Sequence, residues 1–70
     1  MSILVFKTNL SDTACIEVVK PSLDVHPGIV QWNVDLHDCD KVLRIVTEHM
    51  LPREIEILLE KAGFLCEELV

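Results

Sequence analysis

Twice along this chain a short run of two-residue alternation gives way to a segment with helical spacing. That double switch limits the fold more than any single motif does. Ile3 to Asn9 reads as a strand. Its two residue sets, Leu4-Phe6-Thr8 and Ile3-Val5-Lys7, both begin apolar, so pattern alone does not say which faces the core. Asp12 or Ser11 is a good N-cap for the segment that follows. Ile16, Val19 and Leu23 then recur at helical spacing, with Cys15 and Val18 beside them, which predicts a helix from Thr13 to Asp24. Pro21 lies inside it and removes one backbone donor, so a kink or a loose last turn is expected near Glu17 to Pro21. His26-Pro27-Gly28 ends the segment.

Ile29 to Leu36 is the clearest strand, with Val30, Trp32, Val34 and Leu36 alternating with Gln31, Asn33 and Asp35. His37-Asp38-Cys39-Asp40 has hairpin length, and Lys41 to Val46 reads as the return strand. Thr47 to Leu51 is a connection. Pro52 suits the first turn of a second helix, whose buried stripe is Ile55, Leu58, Leu59 and Ala62. Glu54, Glu56 and Glu60 are expected to face water. Gly63 fits a C′ position, where a left-handed backbone meets no Cβ. Phe64 to Leu69 reads as a last short strand.

The order is β-α-β-β-α-β, a ferredoxin-like α+β sandwich. Right-handed crossovers turn it into a four-stranded antiparallel sheet with both helices on one face. Seventy residues, half of them hydrophobic, make one domain over 1–70 with a core but little volume for a substrate pocket. The topology gathers Asp12, Cys15, His37, Asp38, Cys39 and the Gly63 region at one end. It puts His26 and His49 at the other, as solvent-facing loop residues.

Charge and cysteine content narrow the function. A net charge of −6 supplies no phosphate-neutralising patch, which argues against nucleic acid and anionic membranes. An acidic surface does complement a basic protein partner. No apolar run approaches the roughly 18 residues of a membrane span, and no secretory signal is read at the N-terminus. Three cysteines without framework spacing point to free thiols and a reducing, cytoplasmic compartment. Neither a nucleophile–base–acid set nor a phosphate-binding glycine loop is present, so no enzyme activity is expected.

The chain resembles the heavy-metal-associated domain family, the fold of small copper chaperones and of the N-terminal modules of metal-transporting ATPases. Cys15, Val19, Leu23 and Gly28-Ile29 match the family spacing of second metal cysteine, helix apolar positions and start of strand two. Trp32-Asn33-Val34-Asp35 and Lys41-Val42-Leu43 match the hairpin, and Lys61-Ala62-Gly63-Phe64 the end of helix two. One bacterial branch reads Phe-Lys-Thr-Asn, an apolar residue, then Cys-x-x-Cys one residue later, with a proline in helix one. Here Phe6-Lys7-Thr8-Asn9-Leu10 and Pro21 follow it. The family's first metal cysteine falls on Asp12, and its Met position on Leu10. The resemblance implies metal handling, with a metal-transporting ATPase or another protein as partner and a monomeric or weakly dimeric state.

Asp12-x-x-Cys15 pairs one hard donor with one soft donor. Two thiolates suit Cu(I); this pair does not, although zinc accepts both carboxylate and thiolate. Cys15 and Asp12 are therefore the candidate metal residues, for weak Cu(I) or Zn(II), with His37 and Cys39 as remote candidates. The latter two lie on the strand 2–3 turn, about two strand spacings or roughly 10 Å away, too far for one ion without loop movement. Three readings follow: a heavy-metal-associated domain with weak or lost metal binding, a carrier completing its site from a partner molecule, and a protein-interaction module. For the last, strand two is a candidate edge for strand addition.

Overall fold

The computed structural model describes residues 1–69. It runs β1 (Ser2–Thr8), α1 (Thr13–Asp24), β2 (Ile29–Asp35), β3 (Val42–Thr47), α2 (Pro52–Lys61) and β4 (Cys66–Glu68). The sheet order is β2-β3-β1-β4, with every pairing antiparallel. The expected ferredoxin-like sandwich is therefore the fold of this chain.

The open question about β1 is decided by burial. Phe6 and Thr8 are buried and Leu4 is half-buried, whereas Ile3 and Lys7 are exposed. Phe6 lies opposite Leu43 and Leu4 opposite Ile45 on β3. These residues form one core with Val19 and Leu23 of α1 and Ile55 and Leu59 of α2. Both helices thus cover the same face of the sheet. Burying a residue of this size contributes about 1.5–3 kcal/mol, so these few side chains carry most of the favourable term.

Helix α1 covers the expected Thr13 to Asp24, with Pro21 inside it, while two other local expectations are corrected. Glu17 and Pro21 are exposed, so water can satisfy the carbonyl that proline leaves without a donor. Looseness shows only afterwards, in the long bonds from Val25 N–H to the Pro21 carbonyl (3.3 Å) and from His26 N–H to the Leu23 carbonyl (3.4 Å). Lys41 is not the first strand residue: it closes the hairpin turn in the left-handed region, at φ 46°. Glu56 does not simply face water. Its carboxylate accepts from the backbone N–H of Glu68 at 3.2 Å and fastens α2 to β4. Gly63 takes φ 92° past the end of α2, as its position required.

Candidate functional site

Asp12 is the N-cap of α1. Its backbone is extended, and its carboxylate accepts from the N–H of Cys15 at 3.0 Å. The helix begins here because three consecutive polar or small residues supply a cap and no apolar side chain pulls the turn inward. The Cys15 backbone N–H, then the Cys15 thiol, hold the Asp12 carboxyl below the usual carboxylate range. The Cys15 side chain is half-buried, packs against the core from the first turn, and has its sulfur 3.9 Å from Ser11 Oγ. Sequence and structure thus agree in bringing Asp12 and Cys15 together.

The surrounding loop is braced from both sides. Thr8 N–H donates to the Asp40 carbonyl at 3.0 Å, and Thr8 Oγ1 to the Lys41 carbonyl at 2.5 Å. Leu10 N–H donates back to Thr8 Oγ1 at 3.2 Å, and Leu10 is fully buried beneath the loop. Asn9 Oδ1 accepts from Leu65 N–H at 2.9 Å, tying in the α2–β4 loop. All three loops therefore share one end of the domain. The sequence reading placed Thr8 and Asn9 in the strand and in the family motif but gave them no part in bracing the loop, although polar residues closing a strand carry a signal for such local bonds.

The remote candidates divide. Asp38, Cys39 and Asp40 bring one ligating atom each within 4.8 Å of one another. His37 is no part of that group, and neither Asp12 nor Cys15 joins it among the described residues. The turn's carboxylates already have work. Asp38 Oδ1 accepts from Asp40 N–H at 2.8 Å, and Asp40 Oδ1 lies 3.8 Å from Lys7 Nζ. His37 is exposed, and its N–H donates to Asp35 Oδ1 at 3.0 Å.

The other end of the domain differs from expectation. His26 is half-buried, and its Nδ1 accepts from Gly28 N–H at 3.0 Å, so it shapes the α1–β2 turn. His49 is exposed as read. Trp32 is half-buried against the core, with its indole N–H donating to Asp24 Oδ1 at 2.8 Å. Cys66 sits half-buried on β4, where burial and then the charges of Glu56 and Glu60 push its thiol up to about 12. That thiol is inert at neutral pH.

No family model matches the chain, and no curated protein does. Solved structures do. The yeast copper transporter domain CCC2A, studied in apo and Cu(I)-loaded states, is 17% identical, with a TM-score of 0.81 over 97% of this chain and 94% of that one. The Cu(I)-loaded first domain of the human copper chaperone for SOD1 is 24% identical, with a TM-score of 0.80 over 94% and 89%. The N-terminal domain of ZntA in its Zn(II) form is 21% identical, with a TM-score of 0.76 over 94% and 89%. At such identities the likeness is one of fold. Among the described residues, no helix is long and apolar enough to cross a membrane.

Proposed function

We propose that this chain is a heavy-metal-associated type of domain whose metal loop has been reduced to a single thiol, leaving weak binding of Cu(I) or Zn(II). The observation carrying this reading is the 3.0 Å bond from Cys15 N–H to Asp12 Oδ1. The residue that would have to be the second ligand is spent on capping the helix. A carboxylate is also the wrong donor for Cu(I), which prefers thiolate and thioether sulfur. Solved domains of the same fold include Cu(I)-loaded and Zn(II) forms, so the scaffold suits such ions where its loop supplies the donors.

Competition titration of Cu(I) against a strong chelator tests the proposal. The parent is expected to lose the metal to the chelator, and Asp12→Cys to retain it in a one-to-one complex. Tight binding by the parent that vanishes in Cys15→Ala overturns it.

A second reading is favoured by the half-exposed position of Cys15 at the domain's end. In it, Cys15 completes a site with a donor from a partner protein, such as a metal-transporting ATPase. A dimer or mixed complex that forms only with Zn(II) or Cu(I) supports it. Unchanged size in excess metal rejects it.

A further inference from the structure

The two edges of this sheet are built differently. Edge strand β4 has three residues and carries Glu67 and Glu68. Short length and like charge are the usual protections against pairing with another chain. Edge strand β2 has seven residues, Ile-Val-Gln-Trp-Asn-Val-Asp, with no proline and no charge before Asp35. Its one irregularity lies between Ile29 and Gln31, so Gln31 to Asp35 pair with β3 in unbroken register.

The ladder fixes which groups face outward. Leu69 N–H donates to the Val5 carbonyl, so Val5 serves β4. Residues in an antiparallel ladder alternate between their two neighbours. Leu4 and Phe6 therefore serve Ile45 and Leu43, while Arg44, Val46 and Val42 serve Asn33, Gln31 and Asp35. The N–H and carbonyl groups of Trp32 and Val34 are left pointing away from the sheet.

We infer that β2 is a self-pairing edge, on which a second copy of this chain adds its own β2 antiparallel about a two-fold axis through Asn33. This register keeps the paired backbone groups, those of Trp32 and Val34, clear of the irregularity, whereas an axis through Trp32 pairs Val34 with Val30 inside it and an axis through Val34 pairs Trp32 with Leu36, whose carbonyl already accepts from Lys41 Nζ at 2.9 Å. Trp32 of each copy exchanges both backbone hydrogen bonds with Val34 of the other. The two Asn33 side chains meet as a non-hydrogen-bonded pair, Cα atoms about 4.5 Å apart, where side chains lie closest. Each Asp35 faces a Gln31 amide, a donor for its carboxylate, rather than the other Asp35. Each Leu36 comes opposite Val30, itself 56% exposed. Beside Val30 lies a cavity of about 230 Å³ lined by Leu23, Asp24, Ile29, Val30, Gln31 and Trp32. It stands open at this edge to receive that leucine.

The α1 flank above the edge carries Lys20 and Asp24, paired at 3.6 Å, with Asp24 bonded to the Trp32 indole, and exposed Glu17 lies on the same side of the helix. The opposing term is the −6 charge of each copy, which salt screens. The inference needs no metal and stands apart from Cys15.

Sedimentation from micromolar to millimolar concentration, at low and high salt, is the test. The expected result is a reversible dimer that tightens with salt. In the same series, amide exchange at Trp32 and Val34 slows as concentration rises, while that at Cys66, an outward group of the other edge, does not. Asn33→Lys and Asn33→Asp change an exposed side chain whose Oδ1 accepts from Arg44 Nη1 at 3.5 Å, so the lysine adds to the Arg44 charge and the aspartate pairs with it. Asn33→Lys is expected to weaken self-association about fivefold through like charges at the axis, and an equimolar mixture with Asn33→Asp to restore it. A parent that stays monomeric throughout in high salt overturns the inference. So does a mixture no tighter than its components, or exchange at Trp32 and Val34 that ignores concentration.

Discussion

Thr8 and Thr47, the last residues of the two central strands, make the same pair of hydrogen bonds at opposite ends of the sheet. Thr8 Oγ1 donates to the Lys41 carbonyl and accepts from Leu10 N–H. Thr47 Oγ1 donates to the Gly28 carbonyl at 2.6 Å and accepts from Met50 N–H at 3.2 Å. Each hydroxyl holds two loops together around a buried apolar residue, Leu10 in one case and Met50 in the other.

Replacing either hydroxyl by a methyl keeps the shape but strands a carbonyl and an N–H. Thr8→Val and Thr47→Val are each expected to cost about 1–3 kcal/mol in urea unfolding. Thr→Ser at the same position should recover most of that. Val variants as stable as the parent would remove these bonds from the account of the fold.

Asp12 gives a pH-dependent contribution. Its carboxyl is held below 3.8 by the Cys15 N–H, so the folded state binds its proton less readily than the unfolded chain. The stabilisation is present above pH 3.8 and is lost as pH falls through the lower folded value. Asp12→Ala should lower the urea midpoint at neutral pH, and Asp12→Asn less, because asparagine also caps. The gap between parent and Asp12→Asn is expected to close in acid. A gap that persists there would mean the charge is not what Asp12 contributes.

Gly28 is required by packing. A Cβ built there would stand 2.7 Å from both Cγ and Sδ of buried Met50 and 3.3 Å from Cε1 of His26. Gly28→Ala is expected to cost about 1–3 kcal/mol through overpacking. Shortening Met50 to Ala costs stability alone, yet should make the glycine change cheaper. A double-mutant cycle with no coupling between the two sites would place the cost elsewhere.

Cys66 should be the slowest of the three thiols toward iodoacetamide at pH 8, and Cys39, exposed on its turn, should react readily. Glu56→Gln removes one of the charges that hold the Cys66 thiol up and loosens β4, so it should speed the reaction there. Since the folded value is about 12 against 9.0 unperturbed, the native state keeps its proton across that interval. Stability from this group is therefore complete below pH 9 and declines as pH rises toward 12. Cys66→Ala should flatten that alkaline decline, and an unchanged slope would assign it to other groups.

Much of the fold was legible because its signals are local. The bounds of α1, Thr13 and Asp24, follow from a polar cap and a 3.6-residue stripe. Gly63 announced its left-handed turn. Asp12 and Cys15 were found together because one helix turn relates them. Glu56 and Lys41 were misread for the opposite reason. Glu56 owes its partner to β4, which arrives only when the sheet closes, and Lys41 finishes the β2–β3 hairpin, where its carbonyl accepts from Thr8 of distant β1.

By itself, then, the sequence determined the order of elements, the antiparallel topology and the pairing of a capping carboxylate with a thiol. All of these rest on spacing and on contacts a few residues apart. Tertiary structure alone decided which side of β1 is core, since Leu4-Phe6 and Ile3-Val5 are equally apolar and only the helices' position separates them. It also decided that Thr8 and Asn9 bind the site's loop to distant turns. And it left β2 as a sheet edge, its Trp32 and Val34 backbone groups facing outward, because β3 lies between β2 and β1.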